Sequence, residues 1–329
     1  MRAIVQDDYG SPDVLELRDI AVPTIVDDEV LVRVHAAGVD RGVWHLVTGM
    51  PYPIRLAGYG LRSPKRAVPG TDLAGVVEVV GSAVTRFRPG AEVFGIGIGS
   101  FAQYARAAEA SLVTVPRDLT FEQAAATSVS GIAALQGLRD HAHVESGQRV
   151  LVIGASGGVG TFAVQLGKAL GAEVTGVCSA AKVELVRSLG ADDVIAYEVE
   201  DFADRRDGFD AILDIGGNAT LTRLRRALRP KGTLVIAGGE TGGRWLGGTD
   251  RQLRAMLLSR FVGQTLTTFV SRENGADITA LAEFIESGAV RPAIDRTFPL
   301  ELASDALRYV EQGRARGKVV LNVRASPSA

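Results

Sequence analysis

Cysteine is almost missing from this sequence. Cys178 is the single one among 329 residues, which excludes an intramolecular disulfide and any zinc site built on several thiolates. One thiol also fits a reducing compartment, so the cytoplasm is the expected address. No run of about 20 apolar residues exists to span a bilayer. The opening MRAIVQDDYG has neither the basic nor the apolar region of a secretion signal. An excess of either charge is absent too: 36 Lys and Arg stand against 38 Asp and Glu. The basic residues are scattered, so neither nucleic acid nor a membrane surface is an expected partner. What the chain does have is apolar material, 46% against 22% charged, which is enough for two globular domains and speaks against disorder. A small neutral or anionic molecule is the expected ligand.

Up to about Arg117 the chain runs in short apolar-rich segments (EVLVRVHAAGV, GVVEVVGSAV, EVFGIGIG) broken by Pro and Gly, the pattern of an antiparallel β domain. In RPGAEV, Pro89 and Gly90 provide a reverse turn. From Leu119 onward apolar strands alternate with amphipathic helices: VLVIGA, TFAVQLGKAL, EVTGVC, AKVELVRSLG, FDAILDIG, LTRLRRALRP, TLVIAG. That alternation predicts an α/β domain with a doubly wound parallel sheet covered on both faces. From about Asn274 two helices and a closing strand, KVVLNV, are expected to return to the first domain, making it discontinuous. The expected division is 1–120, 121–272 and 273–329.

VLVIGASGGVG sets an apolar strand directly before a glycine-rich turn and a helix, the context of a Rossmann dinucleotide loop with alanine in first place. Gly154, Ala155, Ser156, Gly157, Gly158, Val159 and Gly160 are the expected cofactor-binding residues. The middle glycine lets the backbone approach a pyrophosphate, the last allows helix and strand to pack closely, and the helix amides face the phosphates. In an NAD-type site an acid at the end of the second strand binds the ribose hydroxyls and repels a 2′-phosphate. GVCSAAK places Cys178 and Ser179 there instead. Without that carboxylate, the Ser179 hydroxyl can donate to a phosphate oxygen and the Lys182 ammonium can reach it, so NADPH is the expected cofactor. The alternative is that Lys182 is a solvated residue at a helix start, with NADH bound instead.

With these parts in place, the chain resembles the medium-chain dehydrogenase/reductase superfamily, in particular its zinc-independent quinone oxidoreductase branch, of which zeta-crystallin is a member. The likeness runs nearly end to end, through EVLVRVHAAGVD, PGTDLAGVVEVVGSAVTRFRPGAEVFG, GASGGVG, SLGADDVIAY, FDAILDIGG and RARGKVVLNV. It implies a GroES-like catalytic domain beside the Rossmann domain, and a homodimer joined at sheet edges to which FVGQTLTTF contributes. Zinc-containing members carry a cysteine where this chain has Asp40, a His-Glu pair where it has Thr71-Asp72, and a further cysteine with no counterpart in EQAAATSVSG. No metal is therefore expected, although Asp40 and Asp72 with His35 or His45 leave an oxygen-rich divalent site open as an alternative.

The resemblance further implies a cleft lined by Asp40 to His45, by the crossover around Thr127 to Ala133, which includes Ser130, and by Gly238-Gly239. Arg314 is expected to reach the adenosine phosphate, with Arg316 as the alternative. Without a Lewis acid, the expected chemistry is hydride transfer to a quinone or to the β-carbon of an α,β-unsaturated carbonyl. His45 is the first candidate for a proton donor, because imidazole titrates near neutrality; a structural histidine is the competing reading, and Asp40 and Tyr52 are further candidates. The loop 50–70, with Arg55, Arg62, Lys65 and Arg66, is expected near the cleft mouth as a specificity element or as a plain solvated connection. Two other functions stay open: a cofactor-binding protein of this fold that acts as a structural or interaction partner, and a zinc-free alcohol dehydrogenase.

Overall fold

The structure, a computed structural model, describes residues 1–205, 208–238 and 243–323. Two compact units form, one from Met1–Ile132, Glu273–Glu286 and Pro292–Ala329, the other from Ala133–Arg272 and Ser287–Arg291. The first unit opens with β1 (Arg2–Val5) paired antiparallel to β2 (Glu16–Asp19). The long β3 (Glu29–Val39) follows, with Val30, Val32 and Val34 buried at alternate positions, as a β-branched strand face requires. After β3 come α1 (Arg41–Thr48), β4 (Asp72–Val80), β5 (Glu92–Ile96), β6 (Tyr104–Ala108) and β7 (Leu112–Thr114). Between β4 and β5 the turn read in RPGAEV is present: Ala91 N–H donates to Arg88 O, and Gly90 takes the positive φ of 92° that a type II turn demands. The short α2 (Phe121–Ala125) starts at a reciprocal cap between Thr120 and Gln123. Next, α3 (Ser128–Gln136) carries the chain out of this unit.

In the second unit, β8 (Arg149–Ile153), α4 (Gly158–Ala169), β9 (Glu173–Cys178), α5 (Val183–Ser188) and β10 (Asp193–Ala196) alternate strand and helix. They are followed by β11 (Phe209–Asp214), α6 (Leu221–Ala227), β12 (Leu228–Ile236), α7 (Gly243–Leu246), α8 (Thr249–Ser259) and β13 (Thr265–Thr268). The described strands form one parallel sheet in the order β10-β9-β8-β11-β12-β13. The order reverses between β8 and β11, the switch point of a doubly wound sheet, where such folds bind ligands at the carboxyl ends of their strands. Leu151, Ile212 and Leu234 on three adjacent strands belong to its core, and each is fully buried. FVGQTLTTF supplies β13 at the sheet edge, as expected.

The chain then returns to the first unit with α9 (Gly275–Glu286), β14 (Ile294–Pro299), α10 (Ala303–Glu311) and β15 (Lys318–Asn322). KVVLNV thus becomes a strand of the first unit's sheet, in the order β14-β15-β3-β4-β5-β7 with β6 also paired to β3. The two sheets bear out the expected fold class. Among the described residues no helix is long and apolar enough to cross a membrane.

Candidate active site

The glycine loop is built as the sequence indicates. Gly154 adopts φ of 85° at the end of β8, and the N–H groups of Gly154 and Ala155 both donate to Val177 O on β9. The helical ladder of α4 begins with Thr161 N–H on Gly157 O at 2.9 Å. The amides of Gly158, Val159 and Gly160 therefore precede it, as the first N–H groups of a helix do. Two glycines are needed for different reasons. A Cβ on Gly160 would lie 2.1 Å from Gly154 O, so this glycine serves helix-to-strand packing. Among the described residues a Cβ on Gly157 would meet protein only at 3.5 Å, an ordinary contact, so they leave that space open. Such a cradle at a helix start fits a pyrophosphate that has to approach the backbone.

At the end of β9 Cys178 is buried, and Ser179 begins a short turn closed by Lys182 N–H on Ser179 O. A carboxylate does stand nearby, supplied by a different strand. Glu198, two residues past β10, accepts the Ala180 N–H at 3.0 Å. Burial pushes the Cys178 thiol up, Glu198 adds to the rise, and Lys182 opposes it. The parallel pairing of β10 with β9 also brings Tyr197 to Cys178: its N–H donates to Cys178 O, while the residue is 62% exposed. Sequence spacing from the glycine loop could not find Glu198 or Tyr197, because both reach this point through sheet pairing.

The ends of β11 and β12 are tied by a buried ion pair. Asp214 Oδ2 lies 2.6 Å from the Arg251 guanidinium, which also donates to Ala219 O and Gly238 O. Burial pushes the Asp214 carboxyl up while Arg251 opposes the shift. Gly238 packs so tightly that a Cβ would lie 2.0 Å from Ile215 O. Gly239 lies outside the described residues.

In the first unit, Asp40 and Asp72 converge on one ammonium. Asp40 caps α1, its Oδ1 accepting Val43 N–H at 3.2 Å. Its Oδ2 is buried, accepts no hydrogen bond among the described residues, and lies 3.9 Å from Lys318 Nζ. Asp72 is fully buried at the start of β4; Oδ1 accepts Val129 N–H and Oδ2 lies 3.3 Å from Lys318 Nζ. Lys318, 1% exposed, also donates to the Ser130 hydroxyl at 3.0 Å. Gly38 makes room for this arrangement, since a Cβ there would fall 2.8 Å from Asp72 Oδ2. Burial pushes the Asp72 carboxyl up to about 7; Lys318 pulls it down, Asp40 adds repulsion, and Val129 N–H pulls it down again. Among the described residues no group of three or more His, Cys, Asp and Glu is placed to hold a metal ion. Nothing in the spacing of the sequence marked Lys318, which reaches Asp72 across 246 residues.

His45 lies on α1 with Nδ1 2.7 Å from Met50 O, so Nδ1 carries the proton and donates it to that carbonyl. Trp44 meets the imidazole edge-on, at 5.1 Å between ring centres. Tyr52 lies under the Arg55 guanidinium, 4.9 Å from its ring centre, and the same guanidinium covers Tyr9 and donates to the Gly49 and Thr48 carbonyls at the end of α1. Arg55 is thereby committed to fastening the 50–70 segment to α1. Arg314 is exposed on the approach to β15, and Arg316 donates its N–H to Asp295.

Comparison with known proteins agrees with these features. The chain matches the alcohol dehydrogenase GroES-like domain over residues 26–117 and the zinc-binding dehydrogenase family over 189–321. It is 34% identical to 2-methylene-furan-3-one reductase of Solanum lycopersicum, over 98% of this chain and 79% of that protein. It is 31% identical to the quinone oxidoreductase of Homo sapiens, over 98% and 97%. With the chloroplastic NADPH-dependent alkenal/one oxidoreductase of Arabidopsis thaliana it shares 33% identity, over 98% and 79%. Among solved structures, the quinone oxidoreductase of Coxiella burnetii superposes with a TM-score of 0.87 at 28% identity, covering 98% of this chain and 99% of that one. The Escherichia coli quinone oxidoreductase complexed with NADPH gives 0.83 at 25%, over 98% and 100%. The chain belongs to the medium-chain dehydrogenase/reductase superfamily, in its quinone oxidoreductase branch.

Proposed function

We propose that this protein is an NADPH-dependent oxidoreductase that reduces a quinone, or the activated carbon–carbon double bond of an α,β-unsaturated carbonyl, without a metal. The observation that carries this reading is the cradle at Gly157, open among the described residues and ahead of the first amides of α4, which have no intrahelical acceptor. Residues Gly154 to Gly160 hold the pyrophosphate, Gly238 and Gly239 continue the cofactor site, and Ser179, Lys182 and Arg314 meet the adenosine 2′-phosphate. Ser130 is assigned with them, its hydroxyl already engaged by Lys318. The names of the similar proteins, an enone reductase, a quinone oxidoreductase and an NADPH-dependent alkenal/one oxidoreductase, support the same assignment.

When bound, NADPH supplies a hydride from the nicotinamide C4. The acceptor also takes up one proton, so that the double bond or quinone is reduced as NADPH becomes NADP⁺. The protein positions the acceptor, excludes water and delivers that proton. His45 is the first proposed donor; with Nδ1 committed to Met50 O, Nε2 delivers a proton only from the imidazolium form. Asp40 and Tyr52 are proposed as further groups on the same stretch. A metal is disfavoured because a second cation between Asp40 and Asp72 would meet the Lys318 ammonium already there.

We also propose a homodimer joined at the β13 edges, β13 being the outermost strand of its sheet among the described residues, and a cytoplasmic address on the ground of the single thiol. The test of function is NADPH oxidation with a panel of quinones and enones. Oxidation coupled to loss of the acceptor is the expected result. Binding of NADPH without oxidation for any acceptor would instead favour a structural or interaction role.

A further inference from the structure

The first unit holds a pocket of about 340 Å³ that the reading above does not use. Gln6, Tyr9, Tyr59, Lys65, Arg66 and Thr71 are among its lining residues. Three observations say what it takes. Gln6 is 2% exposed, and its Oε1 is buried with no hydrogen-bond partner among the described residues. A buried acceptor left unpaired is unfavourable unless a ligand donates to it. Lys65 and Arg66, both exposed, place two positive charges on the same wall. Arg66 also has Glu273 within electrostatic range, but that carboxyl is itself pushed up, first by the protein packed around it and next by Asp40, with Arg66 opposing. Tyr9 is fixed by sharing its hydroxyl between the Tyr59 and Gly60 carbonyls, at 2.9 and 2.8 Å, which makes the aromatic wall rigid.

The pocket is continuous with the reactive stretch by sequence at both ends: Leu46 follows His45, and Thr71 precedes Asp72. We propose that it selects an anionic acceptor, an α,β-unsaturated carbonyl bearing a carboxylate that Lys65 and Arg66 attract, with Gln6 accepting from a hydroxyl or amide N–H of the same molecule. This inference rests on the reductase reading and names the substrate class for it.

The test compares trans-3-benzoylacrylate with its uncharged amide in the full-length enzyme with NADPH, for wild type and the Lys65→Gln, Arg66→Gln double variant. Both side chains are exposed, and thermal unfolding checks that the variant folds as wild type does. The expected result is a fall of about tenfold in the acid-to-amide ratio of kcat/KM, carried by KM, because two close charges are removed. In wild type the ratio is also expected to fall as salt is raised. Using a ratio cancels the unequal intrinsic reactivity of the two acceptors. A change below about twofold overturns the proposal.

Calorimetric binding of the saturated acid, 3-benzoylpropanoate, separates this inference from the reductase reading. If neither acceptor is reduced but the acid binds wild type and loses about tenfold in the double variant, the pocket assignment stands and the catalytic reading fails. If the acid does not bind, or binds both proteins equally, the pocket assignment fails whatever the turnover.

Discussion

Lys318 Nζ lies 3.3 Å from Asp72 Oδ2 with both residues fully enclosed, so a strand near the end of the chain neutralises a carboxylate at the start of β4. Above about pH 7, where Asp72 carries its charge, removing one partner strands the other's charge away from water. Lys318→Met is therefore expected to cost about 3–5 kcal/mol of stability, the usual penalty for breaking a buried pair. Lys318→Met with Asp72→Asn is expected to recover part of that loss, because neither charge then remains. Urea denaturation of wild type and the two variants checks this; a double variant no more stable than the single one contradicts it.

Asp72 also predicts how stability depends on pH. Its carboxyl titrates near 7 in the folded protein, above the ordinary carboxylate value of 3.8. The folded state therefore keeps a proton that the unfolded chain has already lost. The contribution is fully present below the unfolded value, declines as pH rises, and is gone above about 7. Replacing Asp72 with Asn is expected to flatten the stability profile between those limits, read from denaturation midpoints across the range. An unchanged slope would place the titrating proton elsewhere.

The two glycines of the cofactor loop separate folding from binding. Gly160→Ala forces a methyl against the Gly154 carbonyl and is expected to destabilise the protein by about 1–3 kcal/mol through overpacking. Gly157→Ala meets no such obstacle and is expected to keep its melting temperature while weakening NADPH binding by about tenfold or more. Thermal unfolding and calorimetry on both variants test the distinction.

At the adenosine end, Lys182→Ala is expected to raise KM for NADPH by about tenfold, the value of a charge-assisted contact to phosphate, with a much smaller effect on NADH. Glu198→Gln is expected to move the ratio of kcat/KM for NADPH over NADH upward by a few fold, since a negative charge beside the proposed 2′-phosphate site is removed. If both variants leave the ratio unchanged, the phosphate lies elsewhere.

His45→Gln is expected to lower kcat by about tenfold or more if the imidazolium supplies the proton. Unchanged turnover would direct attention to Asp40.

Much of the fold was legible because its signals are local. Alternating apolar strands and helices, the Pro89-Gly90 turn and the glycine loop each depend on residues a few positions apart. Gly160 is a case in which the expected reason, close helix packing, is the observed one. What could not be read is what long-range pairing assembles. Glu198 and Tyr197 reach Cys178 because β10 lies beside β9, and Lys318 reaches Asp72 because β15 lies beside β3. In the sequence GKVVL read as a closing strand, and nothing in that segment set Lys318 apart. Its burial is a property of the sheet, not of its neighbours in the chain. Arg55 shows the same limit in reverse: in the sequence one of the charges of the 50–70 loop, it is spent on Tyr9, Tyr52 and the end of α1.

The position of β15 between β14 and β3 sets an order of maturation. During synthesis residues 1–132 emerge before the parallel-sheet unit, yet the strand that flanks β3 and the counter-ion of Asp72 arrive only after that entire unit has been translated. The unit that begins the chain is thus the one that finishes last, and until residue 318 is available the nascent polypeptide carries an open strand edge and an uncompensated internal acid. Chaperone capture or aggregation of truncated translation products should therefore concentrate on chains stopped between about residue 132 and residue 318.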